Sequence, residues 1–140
     1  MPDSQQIFVV SDDAPSKFTR VALEQRGFAV TFAQDFDAAY RQLHDAAFDL
    51  VIVDVARATT GVEFVKRLRA TPKLSKTFVL TIADWGTGQA TLALTEGADG
   101  YEPKPVTSER LIAAVERLLR QRVVKTAAAT NVVGGIRPHE

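Results

Sequence analysis

Five short apolar runs, each followed by a segment of helical length, constrain this chain more than any other feature. The runs are Gln6–Ser11 (QIFVVS), 28–33 (FAVTFA), 49–54 (DLVIVD), 77–82 (TFVLTI) and the short 100–102. They are rich in Val, Ile, Phe and Thr and nearly uninterrupted. Continuous apolarity, as opposed to strict alternation, is the habit of strands covered on both faces, as in parallel sheets. Parallel strands need crossover connections, and these are right-handed. Five strand–helix repeats therefore predict one α/β domain, a parallel sheet with helices on both faces.

The intervening segments carry helix signals. A first helix is predicted from Pro15, which needs no amide partner at a first turn, to Gly27. A second follows Asp35 as N-cap, with Phe36, Ala39, Tyr40 and Leu43 on one face. A third is expected from Thr60, with Glu63 completing a capping box, to a stop before Pro72. The fourth, 87–96, is rich in Thr and Gly and reads as the loosest, ending at Gly97. The fifth spans Thr107 to about Val124 and repeats Leu111, Ile112, Val115, Leu118 and Leu119 at helical spacing. Beyond Lys125 the residues become small (TAAATNVVGG), which divides the chain into a domain over 1–125 and a tail or linker over 126–140.

Composition narrows the function. Lys plus Arg and Asp plus Glu are both 17, so net charge gives no pull toward nucleic acid or an anionic membrane. The basic cluster Arg117, Arg120, Arg122 and Lys125 falls at a helix end, where cations suit the dipole. There is no cysteine, which excludes disulfides and thiolate metal sites. No secretory leader and no apolar run of about 20 residues is present, so the expected location is the cytoplasm. His44 and His139 have no partner at catalytic or metal spacing. No Walker loop or G-x-G-x-x-G fingerprint occurs, and Ala56 stands where a haloacid-type phosphatase needs its second Asp.

In such folds, ligands bind at the carboxyl ends of the strands where strand order reverses. Asp12 and Asp13 follow the first strand, Asp54 closes the third, Thr81 lies near the end of the fourth, and Lys104-Pro105 follows the fifth. Three acids crowded at neighbouring strand ends disfavour one another's ionisation unless cations compensate them. An all-oxygen donor set points to Mg²⁺. A carboxylate beside that ion can act as a nucleophile toward a phosphoryl group, with a hydroxyl and an ammonium holding the peripheral oxygens.

These residues, and above all Gly97-Ala98-Asp99-Gly100-Tyr101 through Lys104-Pro105, resemble the response-regulator receiver family from about Gln6 to Arg122. The resemblance implies a flavodoxin-like, doubly wound (βα)5 sheet of order 2-1-3-4-5, in a bacterial two-component system. It implies Asp54 as phospho-acceptor, with Asp12, Asp13, Asp54 and the Ala56 carbonyl holding Mg²⁺. Thr81 and Lys104 would contact the phosphoryl group, Tyr101 would be the aromatic switch, and Pro105 would follow a cis peptide bond. The implied partners are a sensor histidine kinase or phosphotransfer protein, as in a phosphorelay, and a downstream protein or C-terminal output domain. No enzyme activity is implied beyond assisted phosphotransfer and autodephosphorylation. A homodimer through the fourth helix, fifth strand and fifth helix is one mode of assembly, disfavoured by Gly100 where one large subfamily has an acid.

The chain also departs from the pattern. Ala58 stands in place of a common proline, Gly61 arrives one residue early, and Ile82 replaces a small residue after Thr81. The count from Thr81 to Lys104 implies an insertion around Trp85, itself readable as a loop anchor or a partner contact. These departures support an alternative, a receiver-like interaction module that is not phosphorylated.

Overall fold

The computed structural model describes residues 4–11, 17–56, 58–84, 94 and 97–134, with 17, 58, 59 and 123–134 described by backbone alone. In chain order the elements are β1 (Gln6–Ser11), α1 (Lys17–Gln25), β2 (Ala29–Ala33), α2 (Phe36–Asp45), β3 (Leu50–Asp54), α3 (Ala58–Ala70), a 3-10 turn (Pro72–Leu74), β4 (Val79–Asp84), β5 (Gly100–Lys104) and α4 (Ser108–Gly134). The strands form one parallel sheet in the order β2-β1-β3-β4-β5.

Strand parity sorts the core into two layers, because alternate side chains leave a strand on opposite faces. Ile7, Val9, Leu50, Ile52, Leu80 and Ile82 pack under α1 and α4, against Leu23, Leu111, Val115 and Leu118. Phe8, Val10, Val51, Val53, Val79 and Ala83 pack under α2 and α3, against Ala39, Leu43, Phe64, Val65 and Leu68. Burial on both faces explains the unbroken apolar runs.

Asp35 caps α2, its carboxylate accepting from the Asp37 amide at 3.0 Å. Gly61 lets α3 lie close to the sheet, since a Cβ there would come within 3.0 Å of Val53 Cγ1. Several boundaries differ from the sequence reading. The third helix begins at Ala58, so Thr60 sits inside its first turn and is not the N-cap of a capping box with Glu63. The fourth strand runs Val79–Asp84 and so starts and ends two residues later than predicted, and Lys104 is the last residue of β5 and does not follow it. The last helix reaches Gly134, ten residues past Val124. Ala127, Ala128 and Ala129 are the strongest helix formers, so small residues here extend a helix. The predicted helix 87–96 lies outside the described residues except for Leu94, which is helical. Among the described residues, no helix is long and apolar enough to cross a membrane.

Candidate functional site

The sheet order reverses at β1, whose two neighbours β2 and β3 lead away in opposite directions, and the carboxyl ends of β1 and β3 border the crevice this leaves. Ser11 and Asp54 are register partners there. The next pairs along the same level are Asp54 with Ile82 and Ile82 with Glu102. Parity puts all four side chains on the α1/α4 face, continuing the rows of Val9, Ile52 and Leu80. This row, Ser11–Asp54–Ile82–Glu102, forms the wall of the site.

Asp54 is only 6% exposed. Lys104, one step past Glu102 on the same face of β5, reaches back so that its Nζ lies 2.6 Å from Asp54 Oδ1. The approach satisfies charge but not the angles of a hydrogen bond. Asp54 Oδ1 and Thr81 Oγ1 are both buried and make no hydrogen bond among the described residues. A buried hydroxyl without a hydrogen bond costs about 1–3 kcal/mol, so Thr81 marks a place where stability has been given up, whereas the Asp54 oxygen is compensated by the Lys104 ammonium.

Thr81 leaves β4 on the opposite face from Asp54, beside its register partner Tyr101. The Tyr101 hydroxyl donates to the Asp84 carbonyl at 3.1 Å. Burial, with the Asp84 carboxylate adding to it, raises the phenol above its ordinary pKa of 10.0. The peptide between Lys104 and Pro105 is cis. The Ala56 carbonyl accepts from the Asp84 amide at 3.0 Å, which leaves its second lone pair. Asp12, Asp13 and Trp85 lie outside the described residues. The described donors suit a hard cation: a buried carboxylate and a backbone carbonyl with a spare lone pair, with no sulfur or imidazole at hand among the described residues.

The structure therefore joins Asp54 to Lys104, sets Thr81 beside Tyr101, and brings Ile82 against Asp54. Sequence reading did not single out Glu102, 9% exposed and paired with Arg110 Nη2 at 2.9 Å. Its signal was parity: a Glu two residues before Lys104 must share that lysine's face.

The opposite, amino-terminal edge of the sheet explains the Gly97–Tyr101 motif. Arg69, near the end of α3, donates to the carbonyls of Gly97 (3.0 and 2.7 Å), Ser75 (3.1 Å) and Thr77 (2.6 Å), and pairs with Asp99 Oδ2 at 3.0 Å. Asp99 Oδ2 also accepts from the Val79 amide at 2.8 Å. Gly97 has φ +118°, and a Cβ there would stand 3.1 Å from Arg69. Glycine is required on both counts.

The family model of the response regulator receiver domain matches residues 7–116. The phosphate regulon transcriptional regulatory protein PhoB of Escherichia coli (strain K12) is 30% identical over 121 residues, 84% of this chain and 53% of PhoB. Response regulator MprA of Mycobacterium sp. (strain KMS) is 35% identical over 118 residues, 83% of this chain and 51% of MprA. The chain thus spans about half the length of the curated relatives it matches. Chemotaxis response regulator CheY4 of Vibrio cholerae superposes with a TM-score of 0.73 at 26% identity, over 82% of this chain and 98% of CheY4. NtrX from Brucella abortus, in complex with ADP, superposes with a TM-score of 0.80 at 25% identity, over 91% of this chain and 29% of NtrX. With the sheet order, the two-layer core and the family match in agreement, this chain belongs to the response regulator receiver domain family.

Proposed function

We propose that Asp54 accepts a phosphoryl group from a phosphohistidine of a sensor kinase or phosphotransfer protein. The observation that carries this reading is the buried Asp54 carboxylate held against Lys104, with Thr81 Oγ1 buried without a hydrogen bond on the neighbouring strand. In the transfer an Asp54 oxygen bonds to phosphorus as the P–N bond to histidine breaks, the imidazole taking the bonding pair. Lys104 stays close to the new charge, about −1.5 to −2 for familiar phospho-residues. Thr81 Oγ1, with no competing hydrogen bond, is free to donate to a phosphoryl oxygen. Drawing Thr81 toward the site vacates space beside its register partner Tyr101, whose hydroxyl bond to Asp84 is the contact to be broken or kept. Hydrolysis of the aspartyl phosphate at the same site resets the switch.

Mg²⁺, held by Asp12, Asp13, Asp54 and the Ala56 carbonyl, would supply charge neutralisation of the phosphoryl oxygens. Residues 1–125 act as the receiver unit. Residues 126–140 lead toward an output, either a C-terminal domain or a separate protein in the cytoplasm, and nucleic acid and membrane are not contacted directly. Two facts support an output domain: the relatives are about twice as long, and NtrX matches 91% of this chain where CheY4 matches 82%. A homodimer through the β5–α4 side is a further way for the switched surface to act.

The test is phosphate-affinity gel mobility after incubation with acetyl phosphate and Mg²⁺. The wild type should shift only with Mg²⁺, and Asp54→Asn should not shift. A folded wild type that neither acetyl phosphate nor a cognate kinase can modify would replace this reading with the unphosphorylated interaction module.

A further inference from the structure

β2 is an outer strand of the sheet, and its residues Ala29–Ala33 (AVTFA) are all half-buried. The Ala29 amide donates to the Gln5 carbonyl at 3.0 Å. In a parallel ladder alternate residues bond to the same neighbour, so Ala29, Thr31 and Ala33 address β1. Val30 and Phe32 therefore turn their N–H and C=O groups toward the open side. Outer strands are normally guarded by proline or charge. At the other edge β5 holds Glu102, Pro103 and Lys104, whereas the stretch 28–34 (FAVTFAQ) holds neither guard. The unguarded strand also reads almost alike in both directions about Thr31. An antiparallel copy centred there sets Val30 opposite Phe32, Thr31 opposite Thr31 and Ala29 opposite Ala33.

We propose that β2 pairs antiparallel with β2 of a second copy of this chain, about a two-fold axis at Thr31, so that two sheets become one. Val30 and Phe32 exchange both backbone bonds with Phe32 and Val30 of the second copy, and Thr31 meets its equivalent as a non-hydrogen-bonded pair. Parity gives each face its own packing. Val30 and Phe32 lie on the α1/α4 face in the row of Ile7 and Val9, and the axis pairs an aromatic with a β-branched side chain twice. On the α2/α3 face Ala29, Thr31 and Ala33 are small, which lets the copies approach over a Thr–Thr pair. Charge agrees with this direction. Arg26 precedes the amino end of each β2, and Asp35 and Asp37 follow its carboxyl end, so antiparallel pairing sets cation against anion at both ends. Arg26 and Asp37 stay about half exposed or more beside their own partners Glu116 and Arg67. The contact is isologous and closes at two copies. The two Asp54 sites open at opposite edges of the joined sheet, so both remain accessible.

One strand pair is a small interface, so the unphosphorylated protein should dimerise with a Kd on the order of 10–100 µM. Sedimentation equilibrium from about 1 to 300 µM reads this, with circular dichroism of each variant. Thr31→Lys sets two ammonium groups face to face on the axis and should weaken dimerisation about fivefold or more. The chain has no cysteine, so Thr31→Cys introduces its only thiol. Across the axis the two Cα atoms stand about 4.5 Å apart, within disulfide reach, and mild oxidation should cross-link the copies. Ala29→Cys is the register control, because pairing leaves its two thiols four residues apart along the strands, about 14 Å, and beyond reach. A wild type that stays monomeric throughout overturns the proposal, as does equal cross-linking of the two cysteine variants. A folded Thr31→Lys protein that dimerises like wild type moves the contact to another surface and overturns it too. If Thr31→Lys does not fold, the cysteine pair decides alone.

Discussion

The two edges of the sheet treat their polar groups in opposite ways. At the amino-terminal edge, Arg69 makes five hydrogen bonds to carbonyls and to Asp99, and Asp99 in turn holds the Val79 amide. At the carboxyl-terminal edge, Asp54 Oδ1 and Thr81 Oγ1 are buried without a hydrogen bond, and the site is held by one charge contact from Lys104. A satisfied buried network gives rigidity, whereas unsatisfied groups cost stability and persist only where the surroundings over-determine the fold. The locked edge fixes where β4 and β5 begin, so the open edge can keep groups in readiness for a ligand.

That contrast can be broken first at the locked edge. Arg69→Ala leaves the Asp99 carboxylate and three carbonyls without their partner and should cost about 3 kcal/mol of unfolding free energy by urea denaturation. Phosphorylation of the protein that stays folded should be unchanged. An equal loss of acetyl phosphate reactivity would show that the two edges are not separable.

At the open edge the sign reverses. Thr81→Val removes a buried hydroxyl that makes no hydrogen bond and should stabilise the unphosphorylated protein by about 1 kcal/mol in the same assay. It should also slow phosphorylation, because the group that would hold a phosphoryl oxygen is gone. A destabilised Val variant would mean that Thr81 is satisfied in solution, and the comparison would collapse.

The smallest effect concerns Tyr101. Its folded pKa lies above the ordinary 10.0, so its contribution is fully present below that value and is lost as pH rises through the folded pKa. Stability of the wild type should therefore fall slightly more steeply above about pH 10 than that of Tyr101→Phe, a difference kept small by solvent screening of a partly exposed phenol. Urea midpoints of both proteins over that range, with phenolate absorbance to follow the titration, provide the check. Parallel curves would remove the proposed burial of the phenol.

What was legible in the sequence follows the same division. Apolar runs, the Asp35 cap and the Gly27 stop are local signals, and the parallel α/β architecture followed from them together. The residues of the open edge were legible because chemistry restricts which side chains can end those strands. Arg69 was not, because nothing about an arginine near the end of an amphipathic helix says that its donors reach carbonyls 6, 8 and 28 residues away. Glu102 was hidden for a related reason: a three-residue strand reading, 100–102, stopped before Lys104 and so concealed the face the two share. The end of α4 was misread because small residues suit both linkers and helices, and only the backbone path distinguishes an alanine run that continues a helix from one that frays.

That continuous helix acts as a shaft. Its first half is clamped to the sheet through Leu111, Val115 and Leu118, while the stretch from 123 to 134 extends it by about 18 Å at 1.5 Å per residue. A rotation of the clamped half would carry the far end with it, and each residue inserted or deleted along the helix turns the chain beyond it by about 100°. The chain past Arg122 therefore sets an angular phase as well as a distance, and inserting a whole number of turns should preserve an orientation that inserting half a turn reverses.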